Sequence, residues 1–115
     1  MQGPAEPQWS PPRRHPRVRA IRPVVWWKDD GACAYLRLAV VGRGGAHLRS
    51  SVAIERGTEM RLEICLAGGV IRCRARAVWC IPRPEGFDVG VEFTSLAAGD
   101  EPLLEHLLAD GVPER

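Results

Sequence analysis

Hydrophobic and polar positions alternate with a period of two through most of the chain. The pattern is clearest in residues 70–81, VIRCRARAVWCI, where Ile71, Cys73, Ala75, Ala77 and Trp79 share one parity and Arg72, Arg74 and Arg76 the other. Such alternation marks a strand with one face in a core and the other in water. It predicts Trp79 in the core and the three arginines on a solvated face. The same parity links Met60, Leu62, Ile64 and Leu66, then Phe87, Val89, Val91 and Phe93, and also Leu36, Leu38 and Val40. Residues 22–28, RPVVWWK, are β-branched and aromatic, with Pro23 suited to the start or edge of a strand, and residues 46–50, AHLRS, are strand-like. Trp26 and Trp27 are neighbours and must face opposite sides, one into the core and one outward. Glycine, proline and aspartate clusters at 29–31, 42–45, 57, 68–69 and 82–86 punctuate these segments. About six short strands with turn signals between them predict an all-β fold, a small closed six-stranded antiparallel barrel rather than a parallel sheet.

Only the end of the chain follows a helical period. Asp100 is placed to cap, Pro102 suits a first turn, and Leu103, Leu104, Leu107 and Leu108 form one apolar stripe before Gly111. A C-terminal helix near residues 101–109 should therefore pack onto the barrel. Residues 1–12, MQGPAEPQWSPP, hold four prolines among small and polar residues and predict a flexible tail. With 115 residues, there is room for one core. The expected organisation is a tail over 1–12, a domain over 13–110 and a short tail over 111–115.

Charge changes the picture locally rather than globally. The formal net charge is only +2, yet the first 28 residues carry Arg13, Arg14, Arg17, Arg19, Arg22 and Lys28 against the single acid Glu6. The small net charge, with no aromatic pair of the kind that stacks RNA bases on a strand, argues against DNA or RNA as a partner. No apolar run approaches the roughly 20 residues of a membrane span, and the first residues lack the apolar stretch of a signal peptide. The expectation is a cytoplasmic protein without membrane insertion. Cys33, Cys65, Cys73 and Cys80 form no CxxC pair and no zinc-like spacing, so they read as free thiols on strands and no metal is expected.

No catalytic pattern emerges. His15, His47 and His106 fall in three different elements, GxSxG and HExxH are absent, and Gly42-Arg43-Gly44-Gly45 lacks the ending of a phosphate loop. The chain reads as a non-enzyme with no cofactor. What stands out is "RRHPRVR" at residues 13–19. A guanidinium is planar, permanently charged, pairs bidentately with phosphate or with the guanine edge and stacks on a base, so clustered arginines suit a guanine nucleotide. The same run equally describes a solvated basic linker.

The order "RRHPRVR", barrel strands, "VVGRGGAHLRS", "RARAVWC", "FDVGVEFTSL" and a terminal helix resembles the PilZ domain family over about residues 13–110. That resemblance implies a six-stranded barrel with a C-terminal helix and a receptor for cyclic di-GMP. The family's RxxxR motif matches Arg13 and Arg17, with Arg14 as the extra neighbour. Its second motif, [D/N]xSxxG, falls on residues 40–45, where Val40 and Gly42 replace the polar positions and only Gly45 matches. Val40 continues the apolar row of Leu36 and Leu38, and Gly44 and Gly45 also read simply as a turn. The implied ligand set is Arg13, Arg14, Arg17 and Gly45, with Arg43 adding a charge beside it. Two functions follow: a cyclic di-GMP receptor or adaptor acting through contact with an unidentified partner protein, or a degenerate scaffold that binds proteins without nucleotide.

Overall fold

The computed structural model describes residues 17–28, 31 and 33–113. The expected tail over 1–12, together with Arg13, Arg14 and His15, lies outside the described residues.

Six strands follow one another before the helix: β1 (Val18–Lys28), β2 (Cys33–Val41), β3 (Gly45–Ser50), β4 (Glu59–Leu66), β5 (Gly69–Arg83) and β6 (Gly86–Leu96). All pairings are antiparallel and run β2-β3-β6-β5-β4-β1, and β1 also pairs with β2, which closes the sheet into a barrel. The alternating residues fill its interior: Met60, Leu62 and Ile64 of β4 face Ile71, Cys73 and Ala75 of β5, and Val89 and Val91 of β6 lie beside them. Arg72, Arg74 and Arg76 are exposed, as their parity requires. Trp26 is core, while Trp27 is half-buried beneath Arg61, whose guanidinium lies 5.6 Å from the ring centre.

Pro23 sits where β1 is locally an edge. The β1 register pairs Val18 and Arg19 with β7 (Val112–Pro113) and residues from Val24 onward with β4, so Arg22 and Pro23 between them have partners only on the β2 side. A residue without an N–H is tolerated at such a place.

The helix α1 (Glu101–Asp110) covers one barrel end with Leu104 and Leu107 buried and Leu103 and Leu108 packed beside them. Asp100 occupies the cap position but makes no side-chain cap. Its Oδ2 instead accepts from the Arg72 backbone N–H at 2.8 Å, which ties the start of the helix to β5. The expectation of a capping aspartate is corrected on that point. At the other end, Gly111 lies so close to β1 that a Cβ there would meet Val18 Cγ2 at 2.4 Å, and the chain then adds β7 to β1.

Two further expectations fail, both because a β-bulge shifts parity within a strand. The β2–β3 register slips between Leu38 and Val40, so Val40 pairs with outward-facing His47 while Val41 pairs with Ala46 and is 0% exposed. Val40 therefore does not continue the core row. The β5–β6 register slips between Ala77 and Trp79, so Ala77 stays in the core and Trp79 turns to the outer face opposite Gly90. The four cysteines are free thiols on strands, Cys33 exposed and Cys73 buried. Burial and, second, the Asp100 carboxylate push the Cys73 thiol up to about 12, so it stays protonated at neutral pH.

Candidate functional site

The two bulges create one outward-facing row across five strands. Arg19 pairs with Val40, Val40 with His47, His47 with Gly90 and Gly90 with Trp79. Gly90 has to be glycine here: a Cβ would stand 2.2 Å from the Trp79 ring. The indole lies over that gap and meets His47 edge to face, ring centres 5.0 Å apart at 73°. Its Nε1–H is buried without an acceptor among the described residues.

Arg17 immediately precedes β1 and stands over this row. Its Nη1 donates to His47 Nε2 at 3.2 Å, an arrangement that requires neutral His47 with its proton on Nδ1. Because Val18 pairs with Val41, Arg17 is also brought beside the start of the 42–45 loop. Arg17, just before β1, and His47 on β3 are thus joined although 30 residues apart.

The loop itself is tightly made. The Gly42 N–H donates to Gly45 O at 2.9 Å, and the Phe93 N–H donates to Gly44 O at 2.8 Å. Gly45 opens β3 against β6, where a Cβ would meet the Val91 carbonyl oxygen at 2.3 Å. Gly45→Ala should therefore destabilise by about 1–3 kcal/mol, since backbone must move. Gly44 has open space and no positive φ, so Gly44→Ala should stay within about 0.5 kcal/mol. Urea melts of the two variants check the contrast, and equal stabilities would contradict it.

Arg43 points away from the row, to α1. Its Nε and Nη2 donate to the two carboxylate oxygens of Glu105 at 2.7 and 2.5 Å. That hydrogen bond, and then the charge of Glu105, raise the guanidinium above its usual value. Both side chains are about half exposed, so the pair is a positional tie rather than a large stabilising force.

Of the residues expected at the site, Arg17 and Gly45 flank one face and Arg43 borders it while engaged elsewhere; Arg13 and Arg14 lie outside the described residues. His47, Trp79 and Arg19 were not foreseen. For His47 the signal was available, since Ala46 and Leu48 alternate as core and place residue 47 outward. For Trp79 no such signal existed, because the bulge is a property of the β5–β6 register and not of β5 alone.

The PilZ domain profile matches residues 11–110, and the chain belongs to the PilZ domain family, a family of cyclic di-GMP-binding domains. Among solved structures, it is similar to the inhibitor of motility MotI/DgrA of Bacillus subtilis, with TM-score 0.69 and 21% identity over 84% of this chain and 48% of that one. It is also similar to the PilZ domain of YcgR from Escherichia coli, solved with c-di-GMP, at TM-score 0.62 and 18% identity over 85% and 86% of the two chains. A crystal structure of YcgR in complex with c-di-GMP gives 0.62 and 20% over 85% and 43%. The chain thus spans about half the length of MotI/DgrA. No curated protein matches. Among the described residues, no helix is long and apolar enough to cross a membrane.

Proposed function

We propose that this chain is a non-enzymatic regulatory module of a bacterial cytoplasm that binds cyclic di-GMP through Arg13, Arg14 and Arg17 and acts by contact with a partner protein. The observation that carries the reading is the place of Arg17: the last arginine of RxxxR stands on the outer barrel face, over the row of Val40, His47 and Trp79. One of its contacts is to the neutral ring nitrogen of His47. A phosphate oxygen is a stronger, charge-assisted acceptor than that nitrogen. Arg13 and Arg14 add guanidiniums from the same segment, and the solved YcgR PilZ domain with c-di-GMP supports the choice of ligand.

Binding should be weak. The outward turn of Val40 places an aliphatic side chain where the family motif has an Asp or Asn, Gly42 lacks the serine hydroxyl, and Arg43 is shared with Glu105. These same features favour the second reading, a scaffold that binds its partner constitutively.

Calorimetric titration of variants tests the site. Arg17→Ala should weaken cyclic di-GMP binding by roughly ten- to a hundredfold if it removes one charge-assisted contact. Arg72→Ala, on the exposed face of β5, should leave binding unchanged. Arg17→Lys should not restore it, because an ammonium keeps the charge but neither forks nor stacks. A lysine variant that binds as tightly as the unaltered chain would reduce the arginines to diffuse charge.

A further inference from the structure

A second group of arginines lies on the same outer surface, one step along β3 from His47. A cavity of about 570 Å³ opens where β2, β3 and the β5–β6 turn meet, lined among others by Tyr35, Arg37, Arg49, Arg83, Glu85 and Asp88. Three guanidiniums there face two carboxylates. Asp88, mostly buried, takes two of them: Arg49 Nε lies 3.0 Å from Oδ1 and Arg83 Nε 2.7 Å from Oδ2. Both contacts use Nε, which leaves the paired terminal nitrogens of Arg49 and Arg83 without a protein partner among the described residues.

Arg37 stands directly opposite Arg49 across the β2–β3 pair, and none of the described carboxylates pairs with it. Like charges set opposite each other on a sheet repel, and Asp88 is already engaged twice. The arrangement is a set of guanidinium forks, one hydrogen-bonded to Asp88 through Nε and a second in ion-pair contact with it, that lacks an acceptor among the described residues. Tyr35 forms the rim, two residues from Arg37 on the same side of β2 and 80% exposed. A cavity of this size takes several side chains, far more than one inorganic ion, and tyrosine beside arginine is the composition of a protein-binding surface.

We propose that this notch docks an acidic segment of a partner protein, whose carboxylates are held by Arg37, Arg49 and Arg83 while Tyr35 covers the neck of the segment. The inference rests on the reading of the chain as a module that acts through protein contact, and it supplies the chemistry of that contact. Arg49 and His47 are alternate residues on one strand face, about 7 Å apart along the strand. A docked acidic segment and a nucleotide over Arg17 would therefore be immediate neighbours, close enough for each to change the other's affinity.

The test is fluorescence anisotropy with a short fluorescein-labelled peptide of alternating glutamate and serine, at low ionic strength, on the full chain. Arg37→Ala and Arg83→Ala should each weaken binding roughly tenfold, and Arg37→Glu should abolish it. A peptide with glutamine in place of glutamate should not bind, and Arg72→Ala should bind as the unaltered chain does. Arg37 makes no hydrogen bond or ion pair among the described residues, and a thermal melt of each variant separates a folding defect from a lost dock. The dock is overturned if the unaltered chain ignores the acidic peptide, if Arg72→Ala costs as much as Arg37→Ala, or if an oligothymidylate binds more tightly with the same arginine dependence. Cyclic di-GMP titrations on the same variants separate the two ideas. Nucleotide binding that survives without peptide binding removes the dock alone, whereas selective peptide binding without nucleotide binding removes the nucleotide reading and keeps the dock.

Discussion

Replacing Leu107 with aspartate is expected to destabilise the protein by about 4 kcal/mol and to lower Tm by roughly 15–30 °C. Leu107 is 1% exposed and Leu104 beside it 4%, where α1 lies over the barrel end. An aspartate there leaves an unpaired charge in an apolar contact and also removes the leucine's packing. The consequence extends beyond the helix. Its exit, Gly111, packs on Val18, and β7 pairs with Val18 and Arg19, so α1 helps hold the start of β1 from which Arg17 projects. His106→Ala, on the exposed side of the same helix, should shift stability by no more than about 0.5 kcal/mol. Thermal melts followed by circular dichroism compare the two. A Leu107→Asp protein that melts with the unaltered chain would mean that the helix does not seal the barrel.

The largest expected functional effect is a gain. Val40→Asp combined with Gly42→Ser should tighten cyclic di-GMP binding by about two to four powers of ten, the worth of two restored hydrogen bonds to the ligand. The bulge in β2 makes this variant feasible. Were Val40 on the row of Leu36 and Leu38, an aspartate would be buried in the core. Instead Val40 pairs with Arg19 and His47 on the outer face, where a carboxylate meets water and a guanidinium. The Val40→Asp half of the variant is therefore compatible with the fold, and circular dichroism checks the folding of the pair before titration. A folded variant with unchanged affinity would place the loss of the site elsewhere than in these two positions.

Strand content, barrel closure and the terminal helix were legible in the chain because alternation over short segments is a local property. Ile71 to Ala77 and Met60 to Ile64 declare their faces without reference to any neighbour. The site was less legible for one physical reason: Val40 and Trp79 change faces at bulges, and a bulge is decided by the register of two strands together. Period-two extrapolation carried both residues to the wrong side. The pairing of Arg17 with His47 was hidden in the same way, since it joins the approach to β1 to β3 across β2. Arg43 illustrates another limit, because its engagement by Glu105 depends on where α1 comes to rest. The resemblance to PilZ domains supplied the arginine motif, and the fold supplied what those arginines face.

The most direct measurement is a calorimetric titration of cyclic di-GMP into the full chain, repeated with Arg17→Ala. Saturable binding is expected in the range of about 10–500 μM, weak because Val40 and Gly42 contribute no polar contact, and roughly ten- to a hundredfold weaker in the variant. Absence of any saturable heat with ligand up to about 1 mM, from a protein shown to be folded, would contradict it and leave the constitutive scaffold as the function of this barrel.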